Sequence, residues 1–330
     1  MMDKLRMLLA ALALALGTTT AALAAPSGTI MVYTSQPSDQ MAKVVEAFQK
    51  SHPGIKVELF RSGTTEVMNK LQAEFAAGRP QADVVLIADA VAMTQLKNDG
   101  RLISYPDAPA DKVPPALVDP ERTFFGTKLI TTGIVINTTL VKTPPKSWKD
   151  LLPAASAGKT ILAHPLYSGA AVIHVGTMVQ QGEFGWGYFE ALARNGAIAG
   201  RGNGAVIEAV ARGEKSYGVI IEYMAFNAKA KGSPVDFVFP QEGVSAISQP
   251  VAILKTSRNA EAAKAFVAWQ LSEEAQRQSV AQGYFPIFAD VPPPKGYPPV
   301  SSLKIMSSDL KAMLANDEDN KRRFTELFGG

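Results

Sequence analysis

Strand and helix signals alternate from residue 29 onward, and this alternation restricts the fold more than any other feature of the chain. Residues 29–34 (TIMVYT) form a β-branched run. Ser35-Gln36-Pro37-Ser38-Asp39 follows, with Ser38 placed to cap a helix whose apolar positions are Met41, Val44, Val45 and Phe48. His52-Pro53-Gly54 stops that helix, and residues 55–60 (IKVELF) alternate with the period of a half-buried strand. Ser62-Gly63-Thr64-Thr65-Glu66 then opens a second helix through Val67, Leu71 and Phe75, closed by Gly78-Arg79-Pro80. Residues 83–88 (DVVLIA) are continuously apolar after the first, as a parallel strand covered on both faces must be. Such β-α-β-α-β order predicts right-handed crossovers and an open, mostly parallel sheet with helices on both sides.

A second cycle follows a Pro-rich surface passage over residues 106–120. Residues 128–137 (KLITTGIVIN) read as a long strand, and residues 159–163 (KTILA) begin new α/β units. Helices are predicted after Tyr167-Ser168-Gly169-Ala170-Ala171 and from Gly202-Asn203-Gly204 to Arg212-Gly213, with a buried strand at 217–221. Strands at 237–240 and 251–254 lead back, and an amphipathic helix occupies 260–271. A loop at 292–299 and a charged helix over 307–328 finish the chain. The expected fold class is α/β: two lobes, each an open mostly parallel sheet flanked by helices, joined by a two-stranded hinge. The expected division is a first lobe of 25–132 and 248–300 and a second of 133–247 and 301–330. A chain of 330 residues has room for two such cores.

Residues 1–24 are read as a signal peptide. Lys4 and Arg6 precede a ten-residue apolar run from Met7 to Leu16, and Ala22-Leu23-Ala24 supplies an A-x-A cleavage signal. The run falls short of the roughly 20 apolar residues of a membrane span, so a periplasmic protein is expected. The chain has no cysteine, which removes disulfides, thiolate metal sites and cysteine nucleophiles. Its net charge is only +3 and no dense Lys/Arg block occurs, so no nucleic-acid partner is expected.

Three turns share one design, in which a strand ends, a small polar turn follows and a helix begins. They are Ser62-Gly63-Thr64-Thr65, Tyr167-Ser168-Gly169-Ala170 and Gly202-Asn203-Gly204-Ala205. The first turn of a helix carries unpaired N–H groups and the positive end of the peptide dipole, and a small residue there lets an oxyanion approach. Ordinary capping explains any one of them; three on both lobes point to an anion held between the lobes. Asp89 and the pair Glu222-Tyr223 end apolar strands, where open α/β sheets bind ligands. A carboxylate there receives an ammonium or a metal ion, or else caps a helix or stays solvated. No GxxxxGK[ST], GxGxxG, GxSxG or HExxH pattern occurs, and His164 and His174 lack an evident catalytic partner. No catalytic residue, metal site or cofactor is expected.

The segments VYTSQ, HPGIKVELFRSGTTEVMNKLQAE, ADVVLIAD, TTGIVINTTLV, GNGAVIEAVARGEKSYGVIIEY and AAKAFVAWQLSEEAQRQSVAQGYFP together resemble the solute-binding proteins of bacterial ABC importers, in the branch that includes ferric-ion-binding proteins. The resemblance implies a monomer whose two lobes close over a small-molecule ligand and deliver it to an ABC permease in the inner membrane. Ferric-binding members carry two adjacent tyrosines where this chain reads Glu222-Tyr223-Met224, and a His where it reads Ser35-Gln36-Pro37-Ser38. FRSGTTEV and RGNGAV instead look like relatives that bind small organophosphorus or sugar-phosphate anions. The expected ligand is therefore an organic phosphonate or phosphate such as 2-aminoethylphosphonate. Ser35, Ser62, Thr64, Thr65, Ser168, Gly169, Ala170 and Asn203 would face its oxyanion, and Glu222, Tyr223 and Asp89 its ammonium, with Arg61 and Arg201 nearby. A ferric-ion binder, an extracytoplasmic hydrolase and a chemoreceptor partner are the alternatives.

Overall fold

A computed structural model describes residues 25–330. The leader assigned to residues 1–24 lies outside the described residues. The first lobe starts with β1 (Gly28–Thr34), α1 (Ser38–Ser51), β2 (Ile55–Arg61), α2 (Thr64–Ala76), β3 (Val84–Leu86), α3 (Ala90–Asn98) and β4 (Phe124–Gly126). β1 pairs in parallel with both β2 and β3, as the β-α-β order requires. Side chains alternate along β1: Ile30 and Val32 join the core under α1, whereas Tyr33 packs with Val67 and Leu71 of α2 on the other face. In α1 the buried positions Met41, Val44 and Phe48 lie on one stripe, and the Phe48 ring meets Phe266 edge-on at 5.1 Å.

The second lobe holds β5 (Ile130–Asn137), β6 (Thr160–Ala163), α4 (Gly169–Gln180), α5 (Gly185–Arg194), β7 (Ile198–Gly200), α6 (Asn203–Ala211), β8 (Tyr217–Ile221), α7 (Glu222–Ala230), β9 (Val235–Val238) and β10 (Ser245–Ile247). Its strand order is β10-β5-β8-β6-β7, with β9 also paired to β5. All eight residues of β5 are buried, because helices cover both faces of the sheet at its centre. The chain then returns through β11 (Pro250–Ile253) into the first sheet, whose order is β2-β1-β3-β11-β4. α8 (Ala260–Gln270) and α9 (Glu273–Ala281) pack there, and α10 (Leu310–Ala315) and α11 (Asp317–Phe328) end the chain.

Both sheets are mixed, not mostly parallel: β11 runs against β3 and β4, and β5 against β8, β9 and β10. These reversed strands are the ones that cross between lobes. At the crossing, Thr127 N–H donates to Ser248 O at 2.9 Å and Lys128 N–H to the same oxygen at 3.2 Å, so the hinge is a pair of hydrogen-bonded strands. Residues 130–132, expected with the first lobe, pair with β10 and β8 and thus belong to the second sheet. The charged helix expected over 307–328 is two helices, broken at Asn316 after Asp309 caps the first through the Lys311 and Ala312 N–H groups. α10 bridges the lobes: Met313, Leu310 and Leu314 join one cluster with Val91 of α3 and Ile173 of α4. The three-residue strands β4, β7 and β10 have too few residues to show a period.

Candidate ligand-binding cleft

A cavity of about 510 Å³ lies between the lobes. Four strand-to-helix turns border it, those that open α1 and α2 from the first lobe and α4 and α6 from the second. Each lies at the carboxyl end of a strand because right-handed crossovers place every helix start on that side of the sheet. The turns are fixed by local hydrogen bonds. Ser35 Oγ accepts from Ala88 N–H at 3.0 Å, and Gln36 N–H donates to Thr34 Oγ1. Glu66 folds back to accept from Gly63 N–H at 2.9 Å and from Ser62 Oγ–H at 2.6 Å. Asn203 Nδ2 donates to Ser168 Oγ at 3.0 Å and ties two turns of the second lobe together.

Of the residues singled out from sequence, Ser35, Thr64, Ser168, Gly169, Ala170, Asn203 and Tyr223 border the cavity. Ser62 and Thr65 do not. Ser62 is held by Glu66, and Thr65 Oγ1 reaches 3.5 Å across to Pro165 O in the other lobe. Asp89 and Glu222 are also off the cavity, which corrects their expected role as counter-groups. Asp89 caps α3, accepting from Ala92 N–H at 3.0 Å, and burial pushes its carboxyl up to about 7. Glu222 is fully buried, accepts from Thr131 N–H at 2.6 Å, and is pushed up to about 8 by the same desolvation. The strand-end rule finds the right backbone position but not the direction in which the side chain turns.

Several lining residues were not singled out from sequence. Gln36, Gln249 and Tyr284 border the cavity from the first turn, the hinge and the segment after α9. The Tyr284 ring lies 4.3 Å from that of Tyr223, and burial raises the Tyr223 phenol to about 12. Beneath them sits Lys128, 1% exposed, with Nζ donating to Gln36 Oε1 at 2.9 Å. A lysine at the head of the β-branched strand run 128–137 was the available signal, since buried Lys is rare.

The lobes touch along the cleft. Arg201 Nη2 of the second lobe lies 2.6 Å from Glu66 Oε1 of the first. Hydrogen bonds from Ser62 and Arg201 hold the Glu66 carboxyl down at about 2. Gly169 abuts the Ala88 carbonyl so closely that a Cβ there would lie 2.5 Å from the oxygen. With Glu66 neutralised by Arg201, Arg61 is left as the charge that tips the lining positive. Among the described residues no group of three or more His, Asp or Glu side chains is gathered to hold a metal ion. His164 Nε2 donates to Gly329 O, and His174 lies buried beside Ser245 Oγ, held down at about 3 by desolvation, so neither serves the cleft as a base.

Comparison with known proteins agrees with this architecture. A probable ABC transporter periplasmic-binding protein of Sinorhizobium fredii is 27% identical over 286 residues, covering 82% of this chain and 77% of that protein. The periplasmic binding protein AfuA from Actinobacillus pleuropneumoniae, solved with fructose 6-phosphate bound, matches at a TM-score of 0.81 and 22% identity over 92% of this chain and 99% of that one. Iron-bound HitA from Pseudomonas aeruginosa gives 0.78 and 22% over 90% and 99%. At such identity the structures establish the two-lobed fold. The sequence profile described as bacterial extracellular solute-binding protein matches residues 34–277. That match runs from the end of β1 into α9, through both lobes and both hinge crossings, and the chain belongs to the bacterial extracellular solute-binding protein family.

Proposed function

We propose that the chain is the periplasmic solute-binding component of an ABC import system, and that it captures a small phosphonate- or phosphate-bearing organic anion for an inner-membrane permease. The convergence of four helix N-termini on one cavity carries this reading. First-turn N–H groups have no partner inside their own helices, and a helix end favours an anion by about 0.3–1 kcal/mol, rising to about 2 kcal/mol when partly buried. The cavity size is that of a small-molecule site and exceeds what a bare ion fills. Tyr223, Met224 and Tyr284 offer an aromatic and apolar wall for the organic body. With Asp89 and Glu222 turned away and Glu66 paired with Arg201, an ammonium such as that of 2-aminoethylphosphonate is left to the Tyr223 and Tyr284 rings. The sugar phosphate bound to AfuA belongs to the same anion class.

One observation favours a second reading. The phenols of Tyr223 and Tyr284 come together at the cavity, and oxygen donors suit a ferric ion. Titration calorimetry with 2-aminoethylphosphonate, fructose 6-phosphate, orthophosphate and ferric citrate separates the two. Micromolar or tighter binding of an organic phosphate or phosphonate is expected. Ferric binding with a tyrosinate-to-metal absorption band, and no response to the phosphorus compounds, would replace the first reading by the second.

A further inference from the structure

We propose that Lys128, on the hinge strand beneath the cavity, supplies buried positive charge that selects anionic ligands, acting through Gln36. The inference rests on the anion reading above. Lys128 lies against two cavity-lining side chains, and a third shares its acceptor. Its Nζ donates to Gln36 Oε1 at 2.9 Å, the Tyr284 ring lies 4.6 Å away, and Gln249 Nε2 approaches the same Gln36 oxygen at 3.4 Å. It forms no ion pair among the described residues, and desolvation alone lowers its amine to about 7. The titratable groups around Tyr284 are Tyr223, Glu222 and Asp39; burial holds Tyr223 neutral and raises Glu222 to about 8, so Glu222 titrates within the tested pH range in wild type and variants alike, while Arg61 donates to the Gln36 backbone oxygen at 3.3 Å.

A buried ammonium with no counter-charge is costly, and folded proteins pair it or neutralise it. Here the space next to its one acceptor among the described residues is the ligand cavity, so the missing negative charge is the ligand's. Gln36 is the link. It accepts from Lys128 through Oε1 and donates through Nε2 to Gln282 Oε1 at 2.9 Å, so charging Lys128 fixes the amide's orientation at the cavity floor. An anion in the cavity restores the proton to Lys128; a neutral ligand does not. The hinge location ties this charge to the strands that bend when the lobes move.

The test compares wild type, Lys128→Met and Lys128→Gln by titration calorimetry at pH 6–9 in buffers of different ionisation enthalpy, using whichever of 2-aminoethylphosphonate, fructose 6-phosphate or orthophosphate binds wild type. The expected result is at least tenfold weaker binding in both variants, with an unliganded melting temperature equal to or above wild type. Wild type at pH 8 is expected to take up about half a proton or more per ligand bound, an uptake absent from the variants. Opposite movement of affinity and stability separates charge selection from a packing role, which lowers both together. Wild-type affinity in the variants, an unchanged proton count, or failure of both to fold overturns the inference while the function stands. Failure of all three probes to bind wild type overturns both.

Discussion

Gly169 is the first residue of α4 in the second lobe, and it is pressed against the first. A Cβ at this position would lie 2.5 Å from Ala88 O, 2.7 Å from Asp89 Cβ and 2.9 Å from Thr64 Cγ2. The nearest is backbone and the other two are short, stiff groups, so none can swing aside. Ordinary contact begins at 3.4 Å, and Gly169→Ala therefore wedges the lobes apart by roughly 1 Å. The residue is helical and Ala favours helix, so the second lobe itself is not harmed. The cost falls on the arrangement in which the lobes meet, about 1–3 kcal/mol for an overpacked contact. Where binding requires that arrangement, apparent affinity falls by about 5- to 150-fold. Calorimetry with the probe that binds wild type measures this, beside melting temperature and small-angle scattering without ligand. The expected variant binds weakly, melts within a degree or two of wild type, and compacts less on binding. Wild-type affinity together with full compaction would refute the reasoning, because the lobes would then not meet at Gly169 in the bound state.

Two further perturbations have opposite pH signs. Glu66, held at about 2 against an ordinary 4.5, stabilises the native seam above pH 4.5 and loses that contribution as pH falls toward 2. Melting curves from pH 6 to 2 are expected to show a steeper acid loss in wild type than in Glu66→Gln, with Arg201→Met in between; identical slopes would contradict it. Asp89 is raised to about 7 from an ordinary 3.8, so its contribution is fully present below pH 3.8 and is lost as pH rises through 7. Asp89→Asn keeps the cap acceptor and removes the buried charge, so it is expected to stabilise by about 1–3 kcal/mol at pH 8 and by less at pH 5, read from chemical denaturation. Equal effects at both pH values would show that Asp89 is ionised in the native state throughout and that its carboxyl is not raised.

The β-α-β-α-β run of the first lobe was legible because each element carries its own period or stop signal, from the alternation of residues 55–60 to His52-Pro53-Gly54. The turns at Ser168 and Asn203 were legible for the same local reason. Tyr284 at the cavity and Lys128 beneath it were not, because the crossing of lobes places them there: Tyr284 follows Gly283, whose φ of 94° turns the chain back toward α7 after α9. A Cβ on Gly283 would lie 2.9 Å from Asn227 Oδ1, so this approach needs glycine twice over. Asp89 and Glu222 mark the opposite limit. Their backbone positions followed from topology, but whether a carboxylate faces solvent or turns under a strand depends on packing that no local pattern records.

α10 touches α3 and α4 from outside the cleft and is joined at Asn316 to a helix seated on α4 and α5. For an engineer this makes Asn316 a natural place for a fluorescent reporter. A dye there rides with the second lobe while its surroundings change with the approach of the first, and Asn316 does not border the cavity. The same seam argues against fusing a tag to the last residue, since the Gly329 carbonyl accepts from His164 at 2.7 Å. A purification handle sits better ahead of β1, where residues 25–27 are exposed.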